Sequence, residues 1–140
     1  MADVSITAAQ VAPIANTTFD TRTVDGIAGA TLTAGQPIYI DTAASNTIKL
    51  ADADGTAPAY TCAGITLHAA TSGQPIKYAN GGNYSPGFAV TPGAVYVLST
   101  TAGGIAPVAD LTTSNYTTVL LIGLTTATAR IVNATAGVRG

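Results

Sequence analysis

The sequence has very little charge and almost none of the side chains that catalysis uses. Its 140 residues include five Lys and Arg, seven Asp, no Glu, one His, one Cys and no Trp. Charged residues make up 9% of the chain, against about 25% in an average globular domain. Because 47% of the residues are hydrophobic, the composition excludes a disordered chain, which is charge-rich and apolar-poor. It also excludes a long helical bundle, whose surfaces draw on Glu, Lys, Arg and Leu.

The dispersed charges and the short apolar runs exclude two classes of partner. The formal net charge is −2 at pH 7, and the five cations are dispersed along the chain. Nucleic-acid binding needs basic side chains gathered against the phosphates, so we expect no nucleic-acid partner. The longest apolar run, 119–124, is far shorter than the roughly 20 residues of a membrane-spanning helix, so we expect no membrane partner.

Two further features concern the compartment. Residues 1–6 have neither a positive region nor an apolar core, so we expect no secretory signal there. The single cysteine, Cys62, excludes an intrachain disulfide framework and suits synthesis in a reducing cytoplasm.

Small and β-branched residues are abundant. The chain has 27 Ala, 24 Thr and 15 Gly, with Val and Ile in short runs between turn residues. This pattern favours strands, and no segment has the pattern of a long amphipathic helix. We predict an all-β fold, a compact sandwich or barrel of short antiparallel strands. The predicted strands are 37–41, 47–50, 61–67, 75–78, 87–90, 94–99, 116–124 and 128–132, with hairpin turns at 80–83 and 101–104 and single helical turns at 51–55 and 107–111.

An internal echo supports this prediction. The segment GATLTAGQPIY at 29–39 is repeated, with insertions, as GITLHAATSGQPIKY at 64–78 and, more loosely, as VTPGAVYVL at 90–98. Each copy predicts a strand, a tight turn and a second strand, because Gly supplies a positive φ and Pro begins an extended run. Three uneven copies are too few for a solenoid, so we expect one β domain over residues 26–140.

Residues 1–25 differ from the rest, since they have spaced apolar side chains but no hairpin signal. Two interpretations remain open. The segment is either the first strand of the domain or an extended arm whose apolar side chains meet another subunit.

The chain has few parts from which an active site could be built. His68 lies in the strand pattern 65–69, whereas nucleophilic catalysis needs a Ser or Cys beside the His and an orienting carboxylate. Cys62 is interpreted as a small buried hydrophobic residue. Asp52-Ala53-Asp54-Gly55 begins like a calcium loop, but the later ligands are missing. We predict no catalytic residue, no metal site, no cofactor and no enzymatic activity, and we expect the six tyrosines to make core-packing or rim contacts rather than form a carbohydrate platform.

An ordered series of short motifs carries a family resemblance. It covers about residues 28–132 and consists of TLTAGQPIYID (31–41), KLADAD (49–54), AGI (63–65), SGQPI (72–76), TPGAVYVLS (91–99), GGIAP (103–107), DL (110–111) and YTTVL (116–120). In order and spacing this series resembles the head decoration, or cement, proteins of tailed bacteriophages.

The resemblance implies a structural role. It implies a β-tulip-like domain on the outer surface of a virion, made in the bacterial host cytoplasm. Such a protein binds where major capsid proteins meet and stabilises the head, as a homo-oligomer, with a trimer favoured and a dimer possible. If residues 1–25 form an arm, its capsid contacts are predicted at Val4, Ile6, Val11, Ile14, Phe19 and Arg22. The alternative is a receptor- or glycan-binding module of a phage head or tail fibre.

Overall fold

The computed structural model of the chain describes residues 3–15, 19–53, 59, 61–110 and 116–138. The strands form one curled antiparallel sheet that closes into a half-barrel, and this confirms the predicted all-β class. Strands account for 48% of the structure and helices for 7%, so the sheet, rather than a layer of helices, surrounds the core.

Ten strands and three short 3-10 helices occur within the described ranges. The strands are β1 (Val11–Pro13), β2 (Arg22–Ile27), β3 (Pro37–Asp41), β4 (Thr47–Leu50), β5 (Gly64–Thr66), β6 (Pro75–Pro86), β7 (Val95–Leu98), β8 (Ile105–Pro107), β9 (Tyr116–Gly123) and β10 (Ala129–Val138). The 3-10 helices are Ala8–Gln10, Thr42–Ala44 and Val108–Asp110. The sheet order is β4-β3-β5-β6-β10-β9-β7-β8, and β1 and β2 pair with β6 beside this path.

Most predicted strands are confirmed, and one is wrong. β3 and β4 have the predicted bounds, β5 and β7 are shorter than predicted, and β10 is longer. Residues 87–90 form no strand, because Gly87 has a φ of +79° and its carbonyl accepts a hydrogen bond from the N–H of Thr7 at 2.7 Å. The helical turn predicted at 107–111 is confirmed by the 3-10 helix Val108–Asp110, whereas the one predicted at 51–55 lies partly outside the described residues.

Strand β6 is the spine of the fold and contains the clearest error of the sequence analysis. Its first half pairs with β2 and β5, and its second half pairs with β1 and β10. The hairpin turn predicted at 80–83 is wrong, since these residues lie inside β6. Gly81 and Gly82 serve close approach instead of chain reversal. A side chain on Gly81 would collide with the guanidinium of Arg22, and one on Gly82 with the backbone carbonyl of Asp20.

The echoed segments form the predicted turns, but the first two copies pair with each other. Gly35, Gly73 and Gly93 all have a positive φ, between +81° and +89°, and each turn leads into β3, β6 or β7. Leu32 of the first copy and Ala70 of the second exchange two backbone hydrogen bonds, of 2.8 and 3.0 Å. The turn predicted at 101–104 is also confirmed, because it connects the paired strands β7 and β8.

The turns of the first two copies also share a side-chain hydrogen bond made by a glutamine. The side-chain oxygen of Gln36 accepts a hydrogen bond from the N–H of Thr33 at 2.8 Å, and that of Gln74 accepts one from Thr71 at 2.9 Å. The repeated glutamine therefore closes the turn, because a side-chain acceptor satisfies a backbone donor that no strand pairs.

The core consists of two apolar clusters, and β6 contributes residues to both of them. The smaller cluster includes Leu32, Ile38, Ile48, Ile76 and Tyr78. The larger cluster lies among β5, β7, β8, β9, β10 and the second half of β6; its largest members are Ile65, Tyr84, Tyr96, Leu98, Ile105, Leu120, Leu121 and Ile131. Because β6 contributes Tyr78 to one cluster and Tyr84 to the other, the strand joins both halves of the fold.

Both edge strands of the sheet path are covered. At one edge, the N–H of Val4 donates to the carbonyl of Ile105 in β8 at 2.8 Å. At the other edge, Ala28 forms an isolated bridge with Ile48 in β4, and the N–H of Gly29 donates to the Ile48 carbonyl at 2.8 Å. Such contacts reduce the pairing of edge strands with other chains.

Candidate interaction surface

His68 and Cys62 lie in different surroundings and make no hydrogen bond to each other. His68 is exposed. Its Nδ1 lies 2.9 Å from the carbonyl of Ala69, and its Nε2 accepts from the N–H of Lys77 at 3.0 Å. Both ring nitrogens thus face backbone atoms, and the ring braces the turn that leads into β6.

Cys62 is partly buried and packs against the larger core cluster, whereas the sequence predicted a buried residue. The thiol donates to the carbonyl of Gly64 at 3.3 Å. Burial raises the pKa of the thiol to about 12. Because a thiolate, and not a thiol, is the nucleophile, this cysteine is an inert packing residue at neutral pH.

No metal-binding group is visible in the described ranges, where three or more His, Cys, Asp or Glu side chains never come together. Asp52 lies two residues after the end of β4. Its N–H donates to the carbonyl of Ala59 at 2.7 Å. Asp54 and Gly55, the rest of the calcium-like motif, lie outside the described residues.

The tyrosines with described side chains are mostly core residues. Tyr78, Tyr84 and Tyr96 are at most 5% exposed, and Tyr96 packs edge-to-face against Phe88 with ring centroids 5.2 Å apart. Tyr39 is partly buried against the larger cluster. This confirms the predicted core packing for these residues and leaves them no shared aromatic surface.

The residues predicted as arm contacts divide into two groups. Val11 is buried in the larger core cluster, and Val4 and Ile6 are packed against it. These three side chains therefore belong to the chain's own core. Ile14 is half-buried, and its backbone exchanges hydrogen bonds with Thr21, of 2.8 and 3.0 Å.

Phe19 and Arg22 point to the surface. The Phe19 side chain is 52% exposed, and Arg22, the first residue of β2, is also exposed. Since β2 runs from Arg22 to Ile27, the boundary predicted between residues 25 and 26 lies inside a strand that pairs with β6.

The chain segment that carries Phe19 and Arg22 is anchored to the middle of β6. The N–H of Asn83 donates to the carbonyl of Phe19 at 2.9 Å, and the Thr21 hydroxyl donates to the Asn83 carbonyl. The missing side chains of Gly81 and Gly82 leave room for this approach. Because Phe19 and Thr21 are both hydrogen-bonded to Asn83, this segment holds the side chains of Phe19 and Arg22 in a defined place.

Arg130 of β10 completes the site. Its guanidinium lies over the Phe19 ring, 4.2 Å from the ring centroid, in a cation–π contact. Its Nε donates to the Asn83 side-chain oxygen at 3.1 Å. Phe19, Asp20, Arg22, Gly82, Arg130 and Ile131 line a cleft of about 410 Å³, which we call the Arg–Phe cleft.

An apolar surface adjoins the cleft on the outer face of β9 and β10. Ile122 pairs with Arg130 across the two strands. Leu124 lies just beyond the end of β9, and Val132 lies two residues after Arg130 in β10, next to a shift in the β9–β10 register. The exposed fractions of Ile122, Leu124 and Val132 are 37%, 37% and 40%. With Phe19, which packs on Arg130, these are four of the seven exposed large hydrophobic side chains in the described structure. We call this surface the β9–β10 face (Phe19, Ile122, Leu124, Arg130 and Val132).

The sequence analysis named Phe19 and Arg22 but missed the other members. The alternation Ala129-Arg130-Ile131-Val132 was a usable signal, because it places Arg130 and Val132 on one side of a strand and Ile131 on the other. No pattern in the sequence, however, relates Arg130 to Phe19, which the fold brings together from distant parts of the chain.

Comparisons with protein-family models and with curated protein sequences find no match for the chain. The described residues include no helix with the length and hydrophobicity needed to cross a bilayer.

Proposed function

We propose that the chain is a structural virion protein without catalytic activity. It binds the outer surface of a tailed-phage capsid at junctions between major capsid proteins and stabilises the head. The observation that carries the proposal is the β9–β10 face, a surface of exposed apolar side chains that includes Arg130 and adjoins the cleft to which Arg22 contributes. Contiguous exposed apolar patches are typical of protein–protein contact sites.

The covered sheet edges support binding through this face. Val4 covers β8, and Ala28 and Gly29 cover β4, so addition of a partner strand at these edges would require displacement of existing contacts. The β9–β10 face needs no such rearrangement, because its side chains already point outward.

The low charge of the chain suits the same role. Thr and Ala together supply 51 of the 140 residues, while charged residues supply 9%. Polar, uncharged side chains can be brought to an interface without the desolvation penalty of ions. A chain that touches several capsid subunits at once, or that acts as an oligomer, then gains avidity from individually moderate contacts.

Binding to heads tests the proposal. Wild-type protein is mixed with emptied heads of the phage that encodes it and sedimented, and Ile122→Ser is compared with Ile40→Ser. The two isoleucines are both 37% exposed, but Ile40 lies on β3, away from the face. We expect wild type and Ile40→Ser to sediment with the heads and Ile122→Ser to stay largely in the supernatant.

Two results would contradict the proposal. One is failure of the folded wild-type protein to bind heads. The other is saturable binding to a glycan array in the absence of heads, which would favour the receptor- or glycan-binding alternative.

A further inference from the structure

We propose that the Arg–Phe cleft binds a carboxylate side chain carried by an apolar segment of the partner protein, with Arg22 and Arg130 as the two cationic contacts. The inference rests on the proposed function for the identity of the partner, but the chemistry of the cleft is argued from the residues that line it.

The two arginines are the first reason. Arg22 and Arg130 both line one cleft, together with a single acidic residue, Asp20, which has interactions of its own, although the whole chain has only five cations and a net charge of −2. The ion pairs formed between described residues are Lys49–Asp41, at 2.9 Å, and Lys77–Asp25, at 3.4 Å. These pairs occupy the two lysines and do not include Arg22 or Arg130.

The second reason is that Arg130 is held in place before any partner binds. Its Nε is engaged by Asn83, and the Phe19 ring covers one face of its guanidinium. An arginine has five N–H donors, so the bond to Asn83 leaves most of the planar fork for a ligand. Such a fork matches the two oxygens of a carboxylate and can bind both. A side chain that is already ordered also loses less conformational entropy on binding.

The third reason is the packing of Arg22 on Gly81. The guanidinium occupies the space that a side chain at position 81 would fill, and β2 pairs Arg22 directly with Gly81. A glycine in the middle of a strand weakens the sheet. The sequence nevertheless has one at position 81, where the Arg22 guanidinium lies against β6.

The surroundings select a protein segment rather than a free anion or a nucleic acid. Phe19 lines the cleft, and Ile122 is paired with Arg130 next to it; both side chains are exposed and offer apolar contacts that an inorganic ion cannot use. A nucleic acid needs a longer basic surface, and the net charge of the chain is negative. A carboxylate flanked by apolar residues satisfies both the arginines and the exposed side chains.

The first experiment measures the cleft without heads. The ¹⁵N-labelled Nε–Hε resonances of Arg22 and Arg130 are followed while a blocked peptide of alternating leucine and aspartate is added. The same peptide with asparagine in place of aspartate is the control. We expect saturable shifts of both resonances and a dissociation constant at least ten-fold lower for the aspartate peptide. Equal affinity for the two peptides, or saturation by inorganic phosphate at lower concentration than by the aspartate peptide, would overturn the inference.

The second experiment uses heads and charge-matched variants. Arg22→Gln, Arg130→Gln and Arg130→Lys are compared with Lys77→Gln, which removes the same charge outside the cleft. We expect Arg22→Gln and Arg130→Gln each to weaken head binding about ten-fold or more, and Arg130→Lys to weaken it as well, because an ammonium lacks the planar fork. Lys77→Gln should bind like wild type. Circular dichroism checks that each variant is folded.

The outcomes separate the two proposals. If wild type binds heads and both Arg→Gln variants bind equally well, the cleft inference is overturned and the proposed function stands. If wild type does not bind heads but the aspartate peptide binds the cleft, the proposed function fails and the cleft chemistry is supported. Sedimentation velocity adds one test, since a wild-type oligomer that Arg130→Gln converts to monomers would show that a second copy of the chain occupies the cleft and would overturn the inference.

Discussion

Gly35 and Gly73 have nearly the same backbone conformation, with φ of +87° and +89°, but different neighbours. A methyl group on Gly35 would lie 2.7 Å from a methyl carbon of Ile6 and 3.0 Å from one of Val11, whereas one on Gly73 would have nothing within 4 Å. The echoed turns therefore share their geometry but not their role. The first turn is covered by Ile6 and Val11 of the N-terminal segment, which we call its roof, and the second turn is open to solvent.

This difference predicts unequal costs for the same substitution. Gly73→Ala should lower the free energy of unfolding by about 1–2 kcal/mol, the cost of a left-handed conformation for a residue with a side chain. Gly35→Ala should lose about 1–3 kcal/mol more, because the methyl group also overpacks the contact with Ile6 and Val11. Urea denaturation measures both. Gly93→Ala, another open turn, is the control, and equal losses at positions 35 and 73 would show that the roof contributes nothing.

Tyr84 and Tyr96 form a second matched pair. Tyr84 is fully buried, and its hydroxyl has no hydrogen-bond partner among the described residues; burial raises the pKa of this hydroxyl. The Tyr96 hydroxyl accepts from the N–H of Thr91 at 3.1 Å. A buried polar group without a partner costs about 1–3 kcal/mol, and a hydrogen bond contributes about 1 kcal/mol. Tyr84→Phe should leave the free energy of unfolding unchanged or raise it, whereas Tyr96→Phe should lower it by about 1 kcal/mol. A loss at Tyr84 equal to that at Tyr96 would reveal a partner for the Tyr84 hydroxyl.

Cys62 makes stability depend on alkaline pH. Its pKa in the folded chain is about 12, against an ordinary value of 9.0, so the folded state holds the proton more tightly than the unfolded state does. The resulting stabilisation is complete below pH 9 and is lost as the pH rises from 9 towards 12. We expect wild type to lose stability more steeply than Cys62→Ala over this window in denaturation series at fixed pH. Tyrosine titration is common to both proteins, so parallel curves would contradict the burial of the thiol.

The N-terminal segment can be tested as part of the core. Val11 is 8% exposed and Val108 is 40% exposed. Val11→Ala should lower the free energy of unfolding by about 2 kcal/mol through lost burial and a cavity, and Val108→Ala by less than about 0.5 kcal/mol. Deletion of residues 2–12 should cost more than Val11→Ala. If the deletion leaves the thermal midpoint unchanged, residues 2–12 form a detachable arm.

Much of the sheet could be predicted because it depends on local signals. The alternation Ile38-Tyr39-Ile40 and the turns that begin with Thr33, Thr71 and Thr101 are visible in short windows, and their strands and turns were predicted close to the observed positions. Local chemistry explains this success, since positive-φ glycines and β-branched residues act within a few residues of themselves.

The misses depend on distant contacts. Asn80-Gly81-Gly82-Asn83 has the composition of a hairpin turn, but it forms the middle of a strand because Asp20 and Arg22 lie against its glycines. In the same way, nothing near Arg130 in the sequence indicates that Phe19 covers its guanidinium. The candidate site was only half predictable, because its members come from segments far apart in the chain.

Strand β6 has a mechanical consequence. Residues 79–83 link the two halves of the sheet, and the Arg–Phe cleft is built on this stretch through Gly82 and Asn83. A load applied to a ligand in the cleft would enter the sheet at its centre, where neighbouring strands on both sides resist shear together. The same load applied to β4 or β8 would peel the outermost strand, one hydrogen bond after another. If the cleft is the attachment point that we propose, its central position would resist a pulling force better than a position on an outermost strand.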